Sequence, residues 1–328
     1  MDPRVALALR RRRVQPVRPE DLAGELGVPP QQIVAAVEEL GRLGFVIESH
    51  PMQGLRLLEA PPGLSAEEVA CDLAVSRIGR RVRCVATTRS TNDLAWKAAD
   101  REGNEADGLA ILAEHQTAGR GRRGNRWLAP PHTSILCSVI VHVPRTPTQE
   151  GLLTRAAAVA VAEAIEGECR LNVGIRWPND LVVDDLKVGG ILVEARPVAD
   201  RTGPAVIGVG INCTQEPKAF PPDIRPNVAS LAMVGEDVDR TLLARRLLER
   251  LDHALARMAD DGVAVLRRHA AERCRTLGRW ITVSDGDATF SGEVLDLDPQ
   301  YELVLRSAEG GIRRFAAMTT HVVSQDGA

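Results

Sequence analysis

Between residues 83 and 258, short β-rich runs alternate with longer amphipathic ones, and this alternation limits the fold more than any other feature of the chain. Residues 83–87, 109–114, 135–143, 173–177, 191–195 and 206–211 carry the β-branched density of strands. Residues 154–166 and 239–258 repeat their apolar positions at helical spacing. Such a pattern predicts an α+β or mixed α/β core of ordinary catalytic-domain size, spanning about 65–275.

The flanks read differently. Residues 1–60 hold an apolar helix ending near Arg12, an extended stretch over 14–17 and a helix opened by Pro19. A second helix follows the break at Gly27 to Pro30, with Ile33, Val37, Leu40 and Leu43 on one face. Strands over 45–47 and 55–58, joined across Pro51 to Gly54, complete the pattern of a winged helix-turn-helix. Glu59-Ala-Pro-Pro-Gly-Leu reads as a linker, and Ser65-Ala-Glu-Glu68 as a capping box opening a helix. From 276 to 328, strands over 280–283, 289–297, 301–306 and 312–316 alternate with Gly and Asp turns, which predicts a small β-barrel.

A chain of 328 residues accommodates these three units. Its net charge of -3 supplies no global attraction to nucleic acid or anionic membrane, so any DNA contact must be local. The six cysteines form no C-x-x-C pair and have no histidine at ligand spacing, which argues for reduced thiols rather than zinc or disulfides. The first apolar run, 5–9, precedes rather than follows the basic run Arg10 to Arg13, so a signal peptide is not expected and a cytoplasmic protein is.

Three clusters carry chemistry. Gly119-Arg-Gly-Arg-Arg-Gly-Asn-Arg-Trp127 combines a mobile backbone with four guanidinium groups, which suits a polyanion; a solvated basic loop is the plain alternative. Its glycines have the spacing of a dinucleotide-binding fingerprint but not its strand-turn-helix context, and that fingerprint needs no run of arginines. Arg176-Trp-Pro-Asn-Asp-Leu181, followed by Lys187-Val-Gly-Gly-Ile-Leu-Val-Glu194, can bring an ammonium and a carboxylate into one cleft across a hairpin. Taken singly, Asp180 also reads as a turn former and Lys187 as a turn lysine. Gly208-Val-Gly-Ile-Asn212 reads as a strand ending on a polar residue, or a bulge.

Together with Thr88-Arg-Ser-Thr-Asn-Asp93 and Ala113-Glu-His-Gln-Thr-Ala-Gly119, these segments resemble the biotin protein ligases in identity, order and spacing over most of 83–215. The resemblance implies a catalytic domain related to the class II aminoacyl-tRNA synthetases and an SH3-like barrel at the C-terminus. It implies a biotin site at Ser90, Thr91, Asn92 and Gln116, an ordering loop at Arg120, Gly121 and Arg122, and Lys187 beside the carboxylate and α-phosphate. Trp127, Asn179 and Asn212 would hold adenine and nucleotide. The family's Asp-x-x-Gly turn in the barrel is replaced here by Asp298-Pro-Gln-Tyr-Glu302, which leaves that turn open.

In the reaction so implied, biotin's carboxylate attacks the α-phosphorus of ATP although both are anionic, and Lys187, Arg122 and Mg²⁺ brought with ATP would offset the repulsion. The acceptor, a lysine of the biotin carboxyl carrier protein of acetyl-CoA carboxylase, is only about 0.04% neutral at pH 7, a disadvantage of about 4.6 kcal/mol. Asp180 would orient that amine or take its proton.

The N-terminal unit resembles that of family members that are also biotin-responsive repressors, which implies operator DNA and a homodimer as partners. The expected reading helix, Gln31 to Leu43, and the start of the wing, to His50, carry Glu38, Glu39 and Glu48 against Arg42, a charge balance that opposes phosphate binding. A ligase whose N-terminal unit makes protein contacts, and a lipoate protein ligase, are the competing readings.

Overall fold

A computed structural model describes residues 2–144, 149–196, 202–235, 238–258 and 262–325. The last three residues of the expected third unit lie outside this range.

The N-terminal part contains helices α1 (Pro3–Arg12), α2 (Pro19–Leu26) and α3 (Pro30–Arg42), then the antiparallel hairpin β1 (Val46–His50) and β2 (Gly54–Glu59). Pro19 and Pro30 occupy first helical turns, where a missing N–H costs nothing, and Gly27 ends α2 with a left-handed φ of 65°. Leu9, Leu22, Ile33, Leu40, Phe45 and Leu55 form a small apolar core of their own.

Next come α4 (Ala66–Ala70), β3 (Arg81–Thr88), α5 (Thr91–Glu102), β4 (Leu109–Gln116), β5 (Ser134–Pro144), α6 (Gln149–Cys169), β6 (Gly174–Arg176), β7 (Asp180–Val183), β8 (Leu186–Ala195), β9 (Thr202–Asn212), α7 (Leu231–Val234), α8 (Arg240–Ala256) and α9 (Gly262–Arg273). Their strands make one seven-stranded sheet in the order β3-β4-β5-β9-β8-β7-β6, parallel only at β3–β4. The fold is thus mixed α/β around a central sheet. Period-two alternation loads both faces of β4: Leu109 and Ile111 pack under Ala95 and Trp96 of α5, while Ala110 and Leu112 face the core shared with α6 and α8.

The C-terminal strands β10 (Trp280–Asp285), β11 (Ala288–Leu297), β12 (Leu303–Arg306), β13 (Ile312–Phe315) and β14 (Thr320–Gln325) form an antiparallel sheet in the order β13-β12-β11-β10-β14. Its buried residues, among them Ile281, Val294 and Tyr301, are continuous with the central core.

All the runs expected as strands are strands, with altered ends; β8 begins at Leu186, five residues before expectation, because Lys187 to Gly190 pair into the ladder. The Ser65 hydroxyl caps α4 by accepting from Glu68 N at 3.3 Å, but the reciprocal half of the expected capping box is missing. Glu68 instead pairs with Arg10 of α1 at 2.6 Å, and Arg10 also reaches Asp239 at 2.9 Å. All six cysteines are free, and burial pushes the thiols of Cys84, Cys137 and Cys213 up to about 12. Among the described residues no helix is long and apolar enough to cross a membrane.

The loop entering β3 hangs on one buried carboxylate. Asp252 of α8 accepts from Ser76 N at 2.7 Å, Ser76 Oγ at 3.0 Å, Arg77 N at 2.9 Å and Ile78 N at 2.7 Å. Burial alone would raise its pKa, but these bonds outweigh it and hold the carboxyl below its ordinary value. Asp252→Ala strands buried N–H groups and is expected to cost about 3 kcal/mol. The depressed pKa adds a stabilisation that is complete above the ordinary carboxylate range and fades as pH falls through it. Thermal melts of wild type and variant should therefore converge on acidification; a variant melting within 1 °C (about 0.3 kcal/mol) of wild type at pH 7 would refute this account.

Candidate active site

An open cleft of about 830 Å³ lies over β5, β8 and β9, between α5, the β7–β8 hairpin and strand β14. Its floor is made by glycines. A Cβ built on Gly208 would come within 2.5 Å of Asn92 Oδ1, and one on Gly210 within 2.6 Å of the Trp127 ring. Those glycines let one amide and one indole lie directly on the sheet.

At one end, α5 presents Ser90, Thr91 and Asn92 from its first turn, all buried. Ser90 is the N-cap residue, yet its hydroxyl makes no capping bond. Gln116 Oε1 accepts from Thr91 N at 2.7 Å and lies 3.0 Å from Thr91 Oγ1. Ser138 of β5 donates to Asn92 Oδ1 at 2.5 Å, and its oxygen lies 2.7 Å from Thr91 Oγ1. Glu194 Oε2 accepts from Asn92 Nδ2 at 3.0 Å and Trp96 Nε1 at 3.1 Å.

At the other end, Asp184 and Asp185 both take positive φ, 47° and 60°, in the two-residue turn of the β7–β8 hairpin. That hairpin sets Lys187 Nζ 2.6 Å from Asp180 Oδ1, the ammonium and carboxylate expected in one cleft. Lys187 also lies 5.9 Å from the centroid of the Trp127 ring. Asn179 is clamped to Ile191 by its backbone carbonyl, accepting at 3.0 Å, and its side-chain amide, donating at 2.9 Å.

The arginine loop roofs the cleft and is tied at two points. Arg120 donates to Asp93 at 2.7 Å and to Glu194 at 3.3 Å. Arg122 reaches the other way: it donates to Asn179 Oδ1 at 3.3 Å and to the carbonyls of Ala317, Met318 (3.2 Å) and Thr320 (3.4 Å) beside β14. Burial pulls its guanidinium below its ordinary pKa. Arg123 contacts His321 in the same turn.

Ser90, Thr91, Asn92, Gln116, Arg120, Gly121, Arg122, Trp127, Asn179, Asp180 and Lys187 all line this one cleft. Asn212 does not. It is buried at the end of β9, donating to Ala229 O at 3.1 Å and accepting from Gln215 at 3.0 Å. Ser138 escaped sequence reasoning; a serine inside the apolar run 135–143 was the available signal. Gly208 and Gly210 stood in a recognised cluster, read there as a strand or bulge rather than as a floor. Glu194 stood in a recognised motif without a role.

Comparison with known proteins gives the family of the chain. The biotin/lipoate A/B protein ligase family model matches residues 84–212. The Mycobacterium tuberculosis biotin--[acetyl-CoA-carboxylase] ligase is 36% identical over 234 residues, 69% of this chain and 83% of that protein. The chain belongs to the biotin protein ligase family. Two further relatives of the family extend the likeness. The Bacillus subtilis bifunctional ligase/repressor BirA is 29% identical over 89% of each chain. A biotin protein ligase from Aquifex aeolicus, solved with biotin and ATP, shares the fold with a TM-score of 0.62 at 22% identity, over 74% of this chain and 98% of that one.

The turn at 298–302, left open by the sequence, forms. Asp298 Oδ1 accepts from Gln300 N and Glu302 N, both at 2.9 Å, and Tyr301 takes a left-handed φ of 71° in place of glycine. Its buried ring reaches beneath the cleft: Tyr301 Oη donates to Pro178 O at 3.0 Å and Trp177 Nε1 donates to Tyr301 O at 3.0 Å. Tyr301→Gly relieves about 1–2 kcal/mol of backbone strain but forfeits about 3–5 kcal/mol of ring burial. A net fall in thermal stability is expected; a rise would show that the ring contributes less than its backbone costs.

Proposed function

We propose that this chain is an ATP-dependent biotin protein ligase that forms biotinyl-5′-AMP and then transfers biotin to a lysine of the biotin carboxyl carrier protein of acetyl-CoA carboxylase. One observation carries the reading: a polar wall of short hydroxyl and amide side chains and a cationic end meet over one glycine floor.

The wall at Ser90, Thr91, Asn92 and Gln116 offers donors and acceptors of the kind a ureido ring needs. Lys187 would meet the biotin carboxylate and α-phosphate, exchanging Asp180 for a more highly charged partner. Arg122, held by neutral carbonyls rather than a carboxylate, would swing to the phosphates at modest cost. Trp127 and Asn179 would border the nucleotide. Among the described residues no group of three or more His, Cys, Asp or Glu could hold a metal ion, so Mg²⁺ would enter on the phosphates of ATP and offset their charge. The mixed anhydride is prone to hydrolysis, and the two-point fastening of the arginine loop suits it to a cover. In the second step Asp180, freed from Lys187, would orient the acceptor amine.

We further propose that residues 1–60, 65–275 and 276–328 act as winged helix-turn-helix, catalytic and SH3-like units of a cytoplasmic protein. The first unit would bind operator DNA, in keeping with the word repressor in the name of the Bacillus relative, and would do so as a homodimer in response to biotinyl-adenylate. Its α3 surface offers Gln31, Gln32, Val34, Ala35 and Glu38, with Arg42 paired to Glu38 at 3.8 Å. Phosphate contacts would therefore be few and the salt dependence of binding shallow. A gel shift on the DNA upstream of its own gene, with and without biotinyl-adenylate, should show retardation only with the adenylate. No retardation in either case would favour an N-terminal unit that makes protein contacts.

Native mass spectrometry after adding MgATP with biotin or with lipoate tests the enzymatic reading. A retained mass of biotinyl-adenylate is expected with biotin, none with lipoate, and at least a hundredfold less in Lys187→Ala. Lipoyl-adenylate in its place would make the chain a lipoate ligase.

A further inference from the structure

Glu194 closes the Lys187-to-Glu194 motif, yet the reaction above gives it no task. Its carboxylate is about one-quarter exposed and gathers three groups: the Asn92 amide, the Trp96 indole and the Arg120 guanidinium.

A carboxylate accepts hydrogen bonds and cannot donate them. The Asn92 side chain therefore has one orientation, with Nδ2 on Glu194 and Oδ1 on the Ser138 hydroxyl. Ser138 must then give its one proton to Asn92 Oδ1, so toward Thr91 Oγ1, 2.7 Å away, it can only accept, and Gln116 Oε1 is held by the Thr91 N–H at 2.7 Å. Gln116 is left with Nε2 turned toward Gly119 and the arginine loop, within 3.0 Å of where a Gly119 Cβ would stand. Flipping Asn92 would turn an amide oxygen against the Glu194 carboxylate and an amide N–H against the Ser138 oxygen, freeing the Ser138 proton for Thr91 Oγ1 and so reversing the donors and acceptors of both hydroxyls along that wall. Gly208 packs against the same amide and confines it in place, but has no polarity with which to choose the flip.

We propose that Glu194 is a positioning residue, which sets the hydrogen-bond polarity of the biotin-facing wall through Asn92 and fastens the arginine loop to that wall through Arg120. The inference rests on the biotin ligase reading and deepens it. Two consequences separate. Polarity needs only an acceptor at Glu194, whereas the fastening of Arg120 needs its charge.

Steady-state formation of biotinyl-adenylate by the full chain, titrating biotin at saturating MgATP and then the reverse, tests this. Glu194→Ala is expected to raise the KM for biotin at least tenfold while the KM for ATP stays within threefold. Glu194→Gln, whose amide oxygen still accepts from Asn92 and Trp96, should return the KM for biotin to within threefold of wild type. The same variant should release the adenylate at least fivefold faster, because its amide N–H faces Arg120. If Glu194→Ala does not fold, Glu194→Asp, a methylene short of Asn92, carries the expectation for biotin. Two results would overturn the proposal: an unchanged KM for biotin in Glu194→Ala, or a parallel rise in both KM values shared by Glu194→Gln, as a packing role would give. Wild-type protein that forms no biotinyl-adenylate would instead defeat the functional reading itself.

Discussion

The β7–β8 hairpin is the part of the molecule on which the cleft depends, and the segment leading into it is held from below by a residue of the β11–β12 turn. Trp177 donates to the Tyr301 carbonyl, and the Tyr301 hydroxyl donates back to Pro178. This reciprocal pair, wholly buried, joins the C-terminal sheet to the segment that carries Asn179 and Asp180. Arg155 of α6 adds a third tie, donating to Pro299 O at 2.9 Å. Burial strengthens such bonds because no water competes for the carbonyls. With the hairpin fixed, the position of Lys187 follows from the ladder, and the side of the cleft facing β14 follows from the C-terminal sheet.

The electrostatic problem of the cleft is to hold several cations close together before any phosphate arrives. Each has a different partner. Lys187 has Asp180, Arg120 has Asp93 and Glu194, and Arg122 has carbonyl oxygens. These partners differ in strength: a carboxylate at hydrogen-bond distance competes with an incoming anion far better than a carbonyl does. The arrangement accordingly ranks the cations, with Arg122 the freest to move and Arg120 the most firmly kept. A loop fastened at Arg120 and released at Arg122 can fold over a ligand without leaving the wall it covers.

Much of the cleft was legible because its parts are contiguous in the chain. A run of glycines and arginines and a hairpin with a lysine each reveal themselves within ten residues, whereas Ser90, Thr91 and Asn92 follow from the family resemblance, and the helix that carries them is not marked in the sequence. What was not legible depends on long-range register. Ser138 enters the site only because β5 pairs with β9 so that Ser138 lies opposite Gly208, and nothing local distinguishes it from a buried strand serine. The sequence leaves the turn at Tyr301 open, a left-handed tyrosine is costly, and only its distant carbonyl and hydroxyl partners explain it. Asn212 looked like a strand-end ligand, but the neighbouring chain at Gln215 and Ala229 takes up its amide. Helix α9 and strand β14 were missed for a simpler reason: arginine-rich and short polar segments have weak periodicity, and packing against the central core decides their form.

Biotin-dependent exchange of labelled pyrophosphate into ATP tests most directly whether this cleft activates biotin, because it reports the reversible first step without an acceptor protein. Exchange that requires both biotin and MgATP, and is not supported by lipoate, is the result the account predicts. Exchange with lipoate alone, or none from folded protein at saturating biotin, would contradict it.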